Sequence, residues 1–233
     1  MSIALVTGAN KGLGLETTRS LLRDGHTVYL AARDVGRGTD AAHETGARFV
    51  RLDVTDDDSV RAAAEHVRAE EGRLDVLVNN AGVRGAAKLG RIDEVTGDDM
   101  LHTFDTNVFG PVRVTGAFLP LLRCSEAPVV VNVSSGMGSL AATRDPGRPE
   151  SAFPLLDYNA SKTALVMVTS QYAAAFPDIR FNAVDPGATP TDLTEHRGEQ
   201  TVEEGAEVIV RLASIGADGP TGGFFDREGP AVW

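Results

Sequence analysis

Short β-branched runs alternate with longer segments of helical period along almost the whole chain, and this alternation constrains the fold more than any other feature. The runs are Ile3–Thr7, Thr27–Ala31, Arg48–Leu52, Val76–Asn79, Val129–Ser134, Arg180–Val184 and Gly222–Phe225. Helical periodicity falls near 12–24, 57–71, 98–106, 108–123, 155–176 and 202–214. Strands separated by helices build βαβ units around a parallel sheet. Continuous apolar stretches such as Val129-Val130-Val131 suit strands covered by helices on both faces. The expectation is a single doubly wound α/β domain over residues 1–233, with a seven-stranded parallel sheet flanked by helices. A chain of this length buries a sizeable core as one unit.

Composition bounds the partners. A formal net charge of −11 argues against nucleic acid and anionic membrane surfaces, because phosphate repels an acidic protein that has no basic patch. No apolar run approaches the roughly 18 residues needed to cross a bilayer. The opening Met1-Ser2-Ile3-Ala4-Leu5-Val6 has none of the layout of a secretory signal, and the lone Cys124 suits a reducing compartment, so a cytoplasmic protein is expected. The five histidines, His26, His43, His66, His102 and His196, are scattered without ligand spacing, so no metal site is expected. Thr55-Asp56-Asp57-Asp58 precedes a helical pattern, where Thr55 or Asp56 would cap the helix and the carboxylates would favour its positive end. The stretch 136–154 reads as an irregular binding loop or lid.

Chemistry enters at Thr7-Gly8-Ala9-Asn10-Lys11-Gly12-Leu13-Gly14, which ends the first strand and opens the first helix. Glycines there permit a tight turn and let backbone N–H groups approach a pyrophosphate, which a helix N-terminus also attracts. The Gly-Lys-Ser/Thr ending of a nucleoside-triphosphate loop is missing. With Asn79-Asn80-Ala81-Gly82 after the fourth strand, Tyr158-x-x-x-Lys162, and Asp185-Pro186-Gly187 after the sixth, the chain resembles the short-chain dehydrogenase/reductase family, with its Rossmann-type fold. The ordered motifs run from Thr7 to Thr191. Asn10 to Leu15, Ala32 to Arg37 and Gly222 to Phe225 are similar to the carbonyl reductase branch.

In dinucleotide folds an acidic residue about twenty positions past the glycines grips the ribose diol of NAD, whereas a basic one accommodates the phosphate of NADP. Spacing leaves Ala32, Arg33 and Asp34 all within reach, and Asp34 could be the ribose acid. Alignment to the family puts Ala32 at the discriminating position with Arg33 beside it, and Lys11 and Arg37 add two cations, which together imply NADPH. The resemblance further implies cofactor contacts from Gly8, Asn10, Lys11, Gly12, Leu13 and Gly14. It assigns the adenine to Asp53 and Val54, the ribose side to Asn80, Ala81 and Gly82, and the nicotinamide end to Tyr158, Lys162, Pro186, Gly187, Thr189 and Thr191.

Tyr158 and Lys162 lie four apart on an expected helix, so both leave one face. A free tyrosine holds its proton until about pH 10, and a neighbouring ammonium is expected to bring that value down. Tyr158 could then protonate an alkoxide. Ser135 stands at the carboxyl end of the apolar strand as a donor to the substrate oxygen. Ser134 is its rival, and the family's motif favours the second serine. Asn107 matches the asparagine that holds a proton-relaying water in the family. The expected activity is reduction of a small-molecule ketone, aldehyde or quinone, with an NAD-dependent alcohol dehydrogenase and a non-catalytic NADP(H) sensor as alternatives. Met137, Leu140, Phe153, Leu193 and Trp233 are candidate pocket walls. A homo-oligomer is possible and undecided from the sequence.

Overall fold

Branching at Cβ restricts χ1 in a way a pleated backbone accommodates better than a helix, and the β-branched runs accordingly extend. In the computed structural model, which describes residues 2–85 and 91–233, they form β1 (Ile3–Thr7), β2 (Thr27–Ala32), β3 (Arg48–Arg51), β4 (Val76–Asn79), β5 (Val129–Val133), β6 (Arg180–Val184) and β7 (Phe224–Phe225). All pair in parallel in one sheet of order β3-β2-β1-β4-β5-β6-β7. The helices are α1 (Gly12–Arg23), α2 (Val35–Thr45), α3 (Asp57–Glu71), α4 (Gly97–Phe104), α5 (Gly110–Leu122), α6 (Leu140–Arg144), α7 (Leu156–Ala175) and α8 (Val202–Ala213). The doubly wound, seven-stranded parallel sheet read from the sequence is present.

Alternate strand residues feed two cores. Leu5, Tyr29, Leu77 and Phe181 pack with Val60 and Val67 of α3, Val114 and Phe118 of α5 and Ala173 of α7. Ala4, Val6, Leu30, Val78 and Val131 pack on the opposite face with Leu21 of α1, Ala41 of α2 and Ile209 of α8. Burial on both faces is why the strands read as unbroken apolar runs.

Four elements depart from the sequence expectation. No helix is expected over 35–45, where two glycines dilute the pattern; α2 forms because Asp34 caps it, accepting the Arg37 N–H at 2.9 Å, and Gly46 ends it at φ +79°. A Cβ on Gly38 would stand 2.2 Å from the Phe49 ring, so a side chain there would force that ring to move. The helices expected at 98–106 and 108–123 are joined by a π-helical turn, Asp105–Phe109, so the path is continuous through Asn107. The stretch 136–154 contains α6, capped by Ser139. The last strand is confined to Phe224–Phe225. Asp56, rather than Thr55, caps α3, accepting the N–H groups of Asp58 and Ser59.

The chain winds from β1 outward through β2 to β3, then returns to place β4 on the other side of β1. That reversal opens a crevice at the carboxyl ends of β1 and β4, the place where open α/β sheets receive ligands.

Candidate active site

The glycine turn is shaped by contacts that side chains would prevent. Gly8 and Gly12 have φ of +62° and +55°, in the left-handed region. A Cβ on Gly8 would stand 2.9 Å from Cα of Ala81, so the loops after β1 and β4 touch at the crevice. A Cβ on Gly14 would lie 2.4 Å from Asn80 Nδ2 and 2.8 Å from the Gly8 carbonyl. Asn80 Nδ2 donates to the carbonyls of Thr7 at 2.9 Å and Gly8 at 3.2 Å, and the Thr7 hydroxyl accepts from the N–H groups of Asn80 and Ala81. Asn80 therefore builds the floor beneath the turn. Lys11 is the extended N-cap of α1 and places no side-chain cap on it, which leaves the first N–H groups of the helix available to an anion. Asn10 sits in the turn, and Leu13 packs against the core below it. These residues fit a dinucleotide pyrophosphate.

Further along the crevice, Arg33 is exposed beyond β2, and Asp34 is committed to capping α2. Arg37 lies 3.9 Å from Asp34. Burial works against ionisation of Asp53, but the Thr55 N–H and hydroxyl, with Arg33 and Arg51, hold its carboxyl below its ordinary range. Val54 is buried against Gly110. Lys11 does not point freely toward Arg33 and Arg37; its Nζ pairs with Asp192 at 2.5 Å.

On the far side of the crevice, the buried residues of α7 include Tyr158, Ser161, Lys162, Leu165, Val166, Thr169 and Ala173, a stripe of helical spacing. Tyr158 and Lys162 thus occupy positions where aliphatic side chains would ordinarily sit. They are 7% and 4% exposed, and Lys162 Nζ lies 5.6 Å from the centre of the Tyr158 ring. Lys162 Nζ donates to the Val133 carbonyl at 2.8 Å. Burial pushes the phenol up to about 12, with the Ser135 hydroxyl bonded to it and drawing it back, Asp185 pushing it further up and Arg84 drawing it down. Burial brings the Lys162 ammonium down to about 8, against the field of Asp185. The expectation that the ammonium lowers the phenol is corrected here: the net shift is upward, and burial is its largest cause.

The two serines separate cleanly. Ser134 is buried and its hydroxyl donates to the Lys162 carbonyl at 3.0 Å, fixing β5 to α7. Ser135 is partly exposed and its Oγ faces Tyr158. Asn107 is clamped within the π-helical turn: its Oδ1 accepts the Val83 N–H at 2.8 Å, and its Nδ2 donates to the Val83 carbonyl at 2.8 Å and to Ser161 Oγ at 3.0 Å. A Cβ on Gly82 would stand 3.4 Å from Asn107 Oδ1 and 3.6 Å from Lys162 Nζ, so those three residues meet.

The segment after β6 returns across the cleft. Asp192 meets Lys11 of the β1 loop, Glu195 meets Arg84 of the β4 loop at 2.9 Å, and Thr191 is the residue a Cβ on Gly12 would touch at 3.3 Å. Before it, Pro186 and Thr189 are buried and Gly187 is exposed. Gln200 braces them, donating to the Pro186 carbonyl and to Thr189 Oγ1. Sequence reasoning does not single out Asp192, Glu195, Arg84 or Gln200, because each gains its position only from a contact made across the fold. Among the proposed pocket walls, Leu140, Phe153 and Trp233 are exposed and Met137 and Leu193 half-buried. Among the described residues there is no cluster of His, Cys, Asp or Glu arranged to hold a metal, and no helix is long and apolar enough to cross a membrane.

Comparison with known proteins places this geometry. Residues 2–202 match the model of the short chain dehydrogenase family. The chain is 34% identical to (-)-isopiperitenone reductase of Mentha piperita, over 97% of this chain and 96% of that protein. It is 34% identical to (+)-neomenthol dehydrogenase of Arabidopsis thaliana, over 97% and 96% respectively. Among solved structures, the NADPH-bound carbonyl reductase from chicken fatty liver superposes with a TM-score of 0.87 at 29% identity, covering 100% of this chain and 99% of that one. Salutaridine reductase from Papaver somniferum superposes at 0.84 with 28% identity, covering 96% and 99%.

Proposed function

The chain belongs to the short-chain dehydrogenase family, and on that premise we propose that residues 1–233 act as one catalytic domain reducing a small-molecule ketone, aldehyde or quinone to its alcohol with NADPH, in the cytoplasm. The observation that carries the reading is the convergence of Tyr158, Lys162 and Ser135 at the carboxyl ends of β5 and β6, across the crevice from an uncapped helix N-terminus. Likeness to an NADPH-bound carbonyl reductase and to named plant reductases supports it.

Gly8, Asn10, Gly12, Leu13 and Gly14 would receive the pyrophosphate, Asp53 and Val54 the adenine, and Asn80, Ala81 and Gly82 the ribose side. Pro186, Gly187, Thr189 and Thr191 would hold the nicotinamide end. Lys11, Arg33 and Arg37 would serve the extra phosphate. Asp34, spent on capping α2, is poorly placed to grip a ribose diol, which weighs against NAD. Bound NADPH supplies the hydride.

The protein's own part is proton and charge management. Tyr158, pushed up to about 12, keeps its proton at neutrality and can give it to the carbonyl oxygen as negative charge develops there. Alcohol oxidation by the same route would need the phenolate. Ser135 Oγ donates a hydrogen bond to the same oxygen. Lys162, still cationic at pH 7 with a value of about 8, would stabilise the phenolate left behind, and Asn107 would hold a water that leads protons toward it. The substrate is not transferred from the relatives: the mint enzyme aligns over 301 positions against 233 residues here, so it carries internal segments with no counterpart in this chain.

Following nicotinamide absorbance with NADPH against a panel of ketones, aldehydes and quinones tests the reading. Tyr158→Phe should lower turnover by about 10²–10⁴-fold while cofactor affinity stays within twofold. Retained turnover would overturn the proton-donor role.

A further inference from the structure

Three segments from distant parts of the chain bring their charges together at the rim of the cleft. Lys11 comes from the glycine turn, Arg37 from the first turn of α2, and Asp192 from the segment after β6. Asp192 Oδ2 pairs with Lys11 at 2.5 Å and Oδ1 lies 3.2 Å from His196 Nε2. Both Lys11 and Arg37 draw its carboxyl below the ordinary range, Lys11 by its hydrogen bond first and Arg37 through space. Asp34 is the other carboxylate near Arg37, at 3.9 Å. Asp192 also stands where it can act on a ligand: its neighbour Thr191 rests on Gly12, and Glu195 and His196 just beyond hold φ of +55° and +58°, a left-handed conformation that disfavours a non-glycine residue. The segment is held down by its contacts.

We propose that Asp192 is a determinant of cofactor specificity: it serves as the resident counter-ion of Lys11, and so competes with the extra phosphate that separates NADP(H) from NAD(H). This rests on the cofactor reading above. The phosphate must share or displace the carboxylate to reach Lys11, whereas NAD(H), which has no phosphate there, does not. The contest takes place in solvent, since Lys11 and Asp192 side chains are 57% and 58% exposed, so it is modest and sensitive to ionic strength. The wild-type preference for NADP(H) is therefore smaller than three cations alone would give.

Equilibrium titration of the full chain with NADP⁺ and NAD⁺, read by calorimetry, tests this without any turnover. Asp192→Asn keeps the shape at an exposed position. It should tighten NADP⁺ by about three- to tenfold, the scale of one unit charge at a few ångströms in water, and leave NAD⁺ within twofold. The gain should vanish in a Lys11→Gln background and shrink in about 0.5 M salt. Unchanged or weakened NADP⁺ binding, or equal tightening of both cofactors, would overturn the inference. Wild type that binds NADP⁺ no more tightly than NAD⁺ would instead sink the cofactor reading on which it rests.

Discussion

At the corner where β2, β3 and α3 meet, charge is neutralised locally: Arg48 pairs with Glu71, and the Tyr29 hydroxyl donates to Glu71 at 3.0 Å while accepting from Arg48 at 3.1 Å. Across the sheet, α7 treats charge differently. Lys162 is 4% exposed, its ammonium donates to the Val133 carbonyl, and no ion pair to it forms among the described residues. The first arrangement lowers the cost of having charge at a seam. The second accepts a desolvation cost and holds it, which is what the proposed role of stabilising a transient phenolate requires. Removing charge should therefore act with opposite sign in the two places.

The largest effect is expected at Lys162. Lys162→Met should cut turnover by about 10²–10⁴-fold, yet raise the melting temperature at pH 7, because an aliphatic chain fits the buried stripe without a desolvated ammonium. The pH dependence gives the sign check. The folded protein holds this amine near 8 against an ordinary value of 10.5, so between those values the unfolded chain binds the proton that the folded one releases. Wild-type stability from this group is lowest below about pH 8 and rises toward pH 10. The stabilisation of Lys162→Met, measured by thermal melts at pH 7 and pH 10, should shrink over that interval. A gain independent of pH would show that the ammonium is not the source of the cost.

A smaller but two-sided effect is expected at the glycine turn, where fit is made by backbone rather than charge. Gly14→Ala places a methyl 2.4 Å from Asn80 Nδ2 and 2.8 Å from the Gly8 carbonyl, so α1 must move away from the turn. Overpacking of this kind costs about 1–3 kcal/mol, and NADP⁺ affinity should fall at least about tenfold as the helix N-terminus shifts. Thermal melts and calorimetric titration read the two losses together; loss of stability with unchanged affinity would uncouple the turn from the cofactor.

The same contrast explains what was legible from residues alone. Strand runs, the glycine turn and the Tyr158/Lys162 spacing are local patterns, and each can be read without knowing what packs against it. The path through Asn107 reads as two helices because a π turn has no distinct sequence period. The helix at 35–45 is hidden because Gly36 and Gly38 argue against it, while the Asp34 cap that starts it and the Gly46 that ends it lie outside the pattern. The direction of the Tyr158 shift is hidden for a related reason: spacing shows a lysine one turn away, but only packing shows that burial dominates. Lys11 likewise reads as a free cation until Asp192, 181 residues distant, is placed against it.

The smallest effect is expected back at the paired corner, and it sharpens the comparison because its sign is reversed. Glu71→Gln removes the charge that Arg48 and Tyr29 share. Partly exposed ion pairs contribute up to about 1 kcal/mol, which for a domain of this size lowers the melting temperature by about 2–4 °C. Burial, chiefly, raises the Tyr29 phenol above its ordinary value, with Arg48 lowering it and Glu71 raising it. In Glu71→Gln the phenol should therefore titrate lower than in wild type, visible as an earlier rise of phenolate absorbance with pH. A melting temperature that rises on loss of this carboxylate, as it should on loss of the Lys162 ammonium, would mean that both sites hold uncompensated charge, and the distinction drawn between them would fail.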